Sequence, residues 1–432
     1  MRKILGLAFL ALAALAAGAG SAESSLIDEV RRELRERIEG RQDNEKMFCR
    51  SELLCASRIL PSFYRRRSFD PVWIGEPGQA EALLGQIRQA DREGLDPEDY
   101  RLSTLRALLA EVGPNPGLAD RDRLTDLELL LTDTFLIYAS HLLHGRVDPE
   151  SIRAEWHVQS RKADLAEVLQ KAAEQNKIAE ALQSLLPPHP GYSRLRLALE
   201  EYRQIALRGG WPRVPAGTAM RRGQQDGRVT ALRFRLAVEG GPSAEQGASD
   251  LFDEALERAV ILFQGRHGLD GDGIVGSATL EALNVPVEDR LRQIKVNMER
   301  WRWLPQDLGA RHIFVNIVDF TLQVIDANRP VMHMRTVVGK SYQRTPVFSA
   351  LLTAVVARPY WNIPRSIVLK EIFPAVRRDP DYLSKNRIRV LSGWEVNARE
   401  IDPSTIPWGD GETRRFGFRM RQDAGPGTAL GR

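Results

Sequence analysis

The hydrophobic period of this chain changes once, near Pro305, and that change restricts its possible folds more than any other feature. Before the proline, apolar residues recur at three- and four-residue steps, the pattern of a helix with one buried face. Leu127, Leu131, Thr134, Phe135, Tyr138 and Leu142 do so within "TDLELLLTDTFLIYASHLLHGRVDP", and Gly145 then closes the run. Shorter helical stretches surround "FYRRRSFDPVW", "ALLGQIRQADREGLDPEDY" and "HPGYSRLRLALEEYRQIALRGGW", each ended by Gly or Pro. After the proline, "HIFVNIVDFTLQVID" alternates and is rich in β-branched and aromatic residues, and "VMHMRTVVG" and "ALLTAVVA" continue in that vein. The expected class is α+β, with a helical scaffold over residues 48–237 and a mainly β C-terminal third.

Between these parts, the small, polar, Gly-rich segment 239–250 reads as a linker. A compact unit at 251–285 follows. Leu256, Val260 and Phe263 stripe one helix, and Ser277 is placed to cap a second that carries Leu280 and Leu283. A connecting helix over 288–310 sets Leu291, Ile294, Met298 and Trp301 on one face.

With 43% apolar and 27% charged residues over 432 positions, the chain has the composition of soluble globular protein in several domains. Its first 22 residues have the layout of a signal peptide: Arg2 and Lys3, an apolar run from Ile4 to Ala17, then small residues to Ala22. That run is shorter than the roughly 20 residues a spanning helix needs. Export to the periplasm is therefore expected, with no membrane span after signal cleavage. The formal charge of +4 falls by two when Arg2 and Lys3 leave, and acidic and basic residues interleave throughout, so no nucleic-acid partner is implied. Cys49 and Cys55, in "FCRSELLC", read as part of a surface helix on which their side chains diverge, and a local disulfide between them stays open. Neither has a His nearby in sequence, so neither has the setting of a nucleophile.

Several motifs invite chemistry and fail on context. Gly271, Gly273 and Gly276 match the dinucleotide fingerprint in form, but a helix precedes them where that fingerprint needs a strand. Asp270 and Asp272 begin like a calcium loop, yet Ile274 stands where the third oxygen ligand belongs. No cofactor is expected, and the glycines read as suppliers of positive φ in a tight turn. His141 and His144 lie three apart with no third ligand in view, and are expected to be solvated or to cap a helix end rather than hold a metal.

Two resemblances are specific. "AVILFQGRHGLDGDGIVGSATLEALN" resembles the peptidoglycan-binding module, a small three-helix unit whose turn here carries Asp270, Asp272, Gly273 and Gly276. The stretches "HIFVNIVDFTLQVID", "MRTVVGKSYQRTPVFSALLTAVVARPYWNIPRSI", "EIFPAVRRDPDYL" and "RMRQDAGPGTALGR" resemble, in order, the catalytic domain of L,D-transpeptidases. With the helical region in front they are similar to the large proteobacterial form, which has a scaffold, an inserted binding module and a lid-like insertion, here at about 370–415. This resemblance implies a partial transpeptidase domain at 311–432 and peptidoglycan, through its tetrapeptide stems, as partner. Other cell-wall synthesis enzymes are further possible partners. It also implies cross-linking by a cysteine acyl-enzyme, since a thiolate activated by His can carry the acyl group while backbone amides meet the oxyanion.

In that family the "GP...LG" turn leads to a strand, a His-containing stretch and a Ser-His-Gly-Cys run, none of which occurs in this sequence. The resemblance therefore assigns no catalytic residue, and the chain as written is expected to be inactive: a truncated L,D-transpeptidase or, alternatively, a non-catalytic peptidoglycan-binding scaffold protein. Tyr360, Trp361 and Asn362 in "PYWNIP", and Trp394 in the lid-like insertion, are the candidate substrate contacts. His333, alternating with Val331 and Arg335, reads as a rim residue. An unfinished sheet would expose an edge and an apolar face, so the region after His312 is expected to be protease-sensitive.

Overall fold

The computed structural model describes residues 26–425 except 41–45, 51, 114–119, 153–155, 241–248, 341–343, 358, 396 and 409–416. The expected signal peptide, most of the expected linker and the closing "PGTALGR" lie outside the described residues. The chain forms two compact units, Met1–Asp307 and Leu308–Arg432. No helix among the described residues is long and apolar enough to cross a membrane.

The first unit is built on the helix Arg121–His144. Asp120 caps its start by accepting the Asp122 N–H, and Gly145, at φ +84°, ends it. Its apolar residues are buried on more than one side, and so are Glu128 and Asp133. Glu128 accepts the backbone N–H groups of Val72 at 2.6 Å and Trp73 at 3.0 Å, and the Tyr64 hydroxyl at 3.0 Å. Asp133 accepts the Ala56 N–H at 2.7 Å and Arg101 at 3.0 Å. These carboxylates satisfy the loops on either side of the helix Leu60–Arg66. Burial raises the pKa of both.

A helix over residues 26–39 comes first, and then Met47–Cys49 pairs antiparallel with Glu52–Leu54. This hairpin replaces the surface helix expected around the cysteines. Its residues follow period two: Met47 and Cys49 point inward while Phe48 is exposed, and runs this short give no helical repeat to detect. Cys49 is buried with its thiol 3.3 Å from the Asp126 carboxylate, Cys55 is exposed, and both are free thiols.

The helix Val287–Arg302 packs along Pro190–Leu207, burying Met298 against Tyr192 and Leu199, with Leu291, Ile294 and Trp301 beside them as their spacing predicts. Contact is close enough to exclude any Cβ at Gly191, which would come within 2.2 Å of the Trp301 ring. Arg302 is buried between them, donating to the Tyr192 hydroxyl, the Glu93 carbonyl and Glu299. The segment between these two helices leaves and returns at one place, since a Cβ on Gly210 would lie 3.2 Å from Val287 Cγ1.

That segment holds three helices, Val229–Val238, Glu254–Arg266 and Ser277–Leu283, around one core of Val229, Leu232, Leu236, Phe252, Leu256, Val260, Phe263 and Leu283. The expected boundary at 239–250 thus falls inside a unit, and the helix assigned to the scaffold packs into this core instead. A Gly-rich composition marks a chain reversal equally well within a domain and between domains.

The second unit holds two three-stranded antiparallel sheets. His312–Asn316, Thr321–Asp326 and Arg329–Arg335 form a meander in sequence order. Trp361–Ile363, Arg419–Gln422 and Ile388–Leu391 form the other, with Arg419–Gln422 in the centre. Ile363, Met420 and Val390, opposite one another in the ladder, share a core with Val368, Ile372, Phe373 and Leu383 from intervening short helices. The C-terminal region is thus β-rich as expected, with short helices set between the strands of its later half. "ALLTAVVA" is not a strand: nothing among the described residues pairs with it, and Leu351 and Val355 are 87% and 84% exposed. β propensity describes fit to a sheet surface and cannot supply a partner strand. His333 is exposed on Arg329–Arg335, opposite Gln323.

Candidate functional site

The strand Arg419–Gln422 alternates strictly: Met420 and Gln422 are buried and Arg419 and Arg421 are half-buried on the opposite face. Beside this strand a cleft of about 320 Å³ is lined by Asn362, Pro364, Arg365, Trp394 and Arg419 together with the core residues Ile363, Val368, Phe373 and Met420. Arg421 lies beside it. Its Nε donates to Asn362 Oδ1 at 3.0 Å, and its guanidinium sits 4.3 Å from the Tyr360 ring centroid and 5.7 Å from that of Trp394. Arg419 also approaches Trp394, at 6.0 Å from its ring centroid. Across the ladder from Arg421 stands Arg389, which binds Asp423 at 2.7 Å.

Three of the four residues expected to contact substrate, Tyr360, Asn362 and Trp394, therefore gather around one guanidinium. Trp361 does not: it pairs with Gln422 on the other face and packs against the core. Arg419 and Arg421 were not among the expected site residues. Their alternation with Met420 in "RMRQ" is the only sequence signal, and an alternating charge reads first as a solvated face. With Arg365, Arg419 and Trp394 among the lining residues, the arrangement can bind and orient an anionic or aromatic-stacking group.

In the three-helix unit, Gln264 organises the turn. Its Nε2 donates to Asp272 Oδ1, the Ile274 carbonyl and Thr279 Oγ1 at 2.8–3.0 Å, and its Oε1 accepts the Gly273 N–H at 3.0 Å. Asp272 also accepts the Ile274 N–H, and these bonds hold its carboxyl below the usual range. Gly273 has φ +72° and Gly276 caps the next helix, a role expected of Ser277, which instead occupies the first helical position with no side-chain cap. Asp270 is exposed, and its carbonyl accepts the Asp272 N–H. Asn284 closes the unit by exchanging two hydrogen bonds with the Val214 backbone.

His141 and His144 are half-buried, and each has a protein partner rather than a capping role. His141 Nδ1 is 3.0 Å from the Tyr100 hydroxyl, and His144 Nε2 donates to the Arg161 carbonyl. Burial lowers both imidazoles, His141 to about 4. The helix end is capped by Arg161, which donates to the Leu142 and Leu143 carbonyls. Among the described residues no group of three His, Cys, Asp or Glu is placed to hold a metal ion.

Comparison with known proteins places these features. Residues 58–199 match a scaffold domain, residues 225–283 a "Putative peptidoglycan binding domain", and residues 310–426 the L,D-transpeptidase catalytic domain, YkuD. The second match begins at 225, so it includes the helix Val229–Val238. The chain is also 31% identical over 140 residues to a Haemophilus influenzae protein titled "Putative L,D-transpeptidase", an alignment covering 32% of this chain and 27% of that protein. The chain thus spans about a quarter of that relative's length. In chain order, then, this protein carries a scaffold domain, a peptidoglycan-binding domain and a catalytic-domain region of the L,D-transpeptidase family.

Proposed function

We propose that this chain works on peptidoglycan in the periplasm after signal cleavage, the binding domain holding the polymer while the cleft beside Arg421 takes a tetrapeptide stem. The observation that carries this reading is the union, in one chain, of a peptidoglycan-binding match and an L,D-transpeptidase match whose own cleft is cationic and aromatic. In the family this chemistry cross-links stems by acyl transfer. For the sequence as written we infer stem binding without acyl transfer. Its two cysteines, Cys49 and Cys55, both belong to the first unit, and Cys49 is held as a thiol, pushed up to about 12 by burial and by Asp126. Cosedimentation of the purified chain with sacculi tests the binding half, with a variant lacking residues 225–283 as control. Recovery in the supernatant with both proteins would remove this reading. Incubation with tetrapeptide stems followed by mass analysis tests the second half, and a cross-linked product would refute it.

A further inference from the structure

We propose that Arg419, in the wall of the cleft, and Arg421, beside it, form an anion-recognising pair that binds a carboxylate of the peptide, a deepening that rests on the stem reading above. The argument begins with charge. A guanidinium stays ionised, and like charges facing each other in a ladder repel. Arg421 stands directly opposite Arg389 and two positions from Arg419, so three cations share one sheet face.

Only Arg389 is neutralised there, by Asp423. Neither Arg419 nor Arg421 has a carboxylate partner among the described residues, although elsewhere arginines with acidic neighbours form pairs, as Arg31 does with Asp70 and Arg222 with Glu254. Two half-buried cations without a counter-charge carry a standing electrostatic cost, and an anionic ligand removes it.

Geometry then selects the kind of anion. Arg421 is fixed by stacking on Tyr360 and by its Nε bond to Asn362. Stacking occupies the flat face of the guanidinium, and the Nη1 and Nη2 hydrogens, which lie in its plane, have no acceptor among the described residues. A planar fork held by its face and one edge suits a planar acceptor with two oxygens, which is a carboxylate. The Trp394 ring lies within 6.0 Å of both guanidiniums and adds a cation–π contact to each. A stem peptide offers this chemistry from two sources, its C-terminal carboxylate and a side-chain carboxylate.

Calorimetric titration of the full chain tests the proposal with four synthetic stems: both carboxylates free, the C-terminus amidated, the side chain amidated, and both amidated. The stem with both free binds, and amidating the recognised carboxylate weakens binding about tenfold or more. Arg421→Gln loses a comparable factor and no longer discriminates among the four stems, and Arg421→Lys recovers only part, because an ammonium lacks the fork. Circular dichroism checks that each variant is folded, and the four-stem comparison on the unmutated chain needs no variant at all. Equal binding of the free and doubly amidated stems would overturn the carboxylate assignment while leaving the stem reading in place. Failure of every stem to bind the unmutated chain would overturn the stem reading itself and this assignment with it.

Discussion

Gln264 and Gly273 are joined side chain to backbone: the Gln264 Oε1 accepts the Gly273 N–H at 3.0 Å while its Nε2 holds Asp272 and Thr279. The "FQ" and "DG" of the binding-domain motif are thus two halves of one hydrogen-bonded turn. Gln264→Ala leaves the buried Gly273 N–H without its acceptor and removes the link to Asp272 and Thr279, and is expected to cost about 2 to 3 kcal/mol. Hydrogen exchange across Glu254–Leu283 checks this, with protection falling there first; unchanged protection would show that the turn holds without its staple.

Gly273 and Gly276 look alike in sequence and differ in what they tolerate. A Cβ at Gly273 would meet Glu257 Cγ at 2.9 Å, on a backbone at φ +72°, whereas Gly276 has φ −82° and nothing within 4 Å. Gly273→Ala should destabilise by about 1 to 2 kcal/mol. Gly276→Ala should stay within about 0.5 kcal/mol of the parent. Thermal unfolding of the two variants side by side decides it, and equal losses would contradict the contrast.

Acid should weaken the first unit through His141. Its folded pKa, about 4, lies below the ordinary value of about 6.5, mainly through burial and then through Arg146. The unfolded chain therefore takes up the proton first, and stability present above pH 6.5 drains away as pH falls toward 4. His141→Gln is expected to flatten urea-derived stability across that window by up to one proton's slope. Parallel slopes for parent and variant would count against it.

The two cysteines should differ sharply in reactivity. Cys55 is exposed, while Cys49 is buried with its thiol pushed up to about 12. Iodoacetamide at pH 8 is expected to add one group to the native chain, at Cys55, and a second only after denaturation. Mass spectrometry reads both states, and native labelling of Cys49 would show its site to be open.

Native proteolysis should begin in the exposed apolar stretch of the second unit. Leu351 and Leu352 are 87% and 61% exposed and lie in irregular backbone. Brief chymotrypsin treatment is expected to cut there before it cuts within Arg121–His144. A resistant fragment running through 351–356 would oppose this.

Much of the scaffold and connecting helix was legible because long periodic runs announce themselves: Leu291, Ile294, Met298 and Trp301 lie on one face as their spacing requires. The hairpin at Met47–Leu54 was not, since three-residue strands carry too few alternations to outweigh a helical guess. Val229–Val238 was read into the wrong neighbour because its partner residues lie across a Gly-rich gap in sequence. At the cleft, aromatic residues drew attention and the arginines did not. The meaning of Arg421 depends on Asn362 and Tyr360, about sixty residues away, and only the ladder between Trp361–Ile363 and Arg419–Gln422 brings them together.

The contact between Gly210 and Val287 has an evolutionary corollary. Because the strand of chain entering the three-helix unit and the one leaving it stand side by side, that unit is a cassette plugged into a socket formed by two antiparallel helices. Such a cassette can be swapped for another wall-recognising graft, or lengthened at its tip, without rethreading the host.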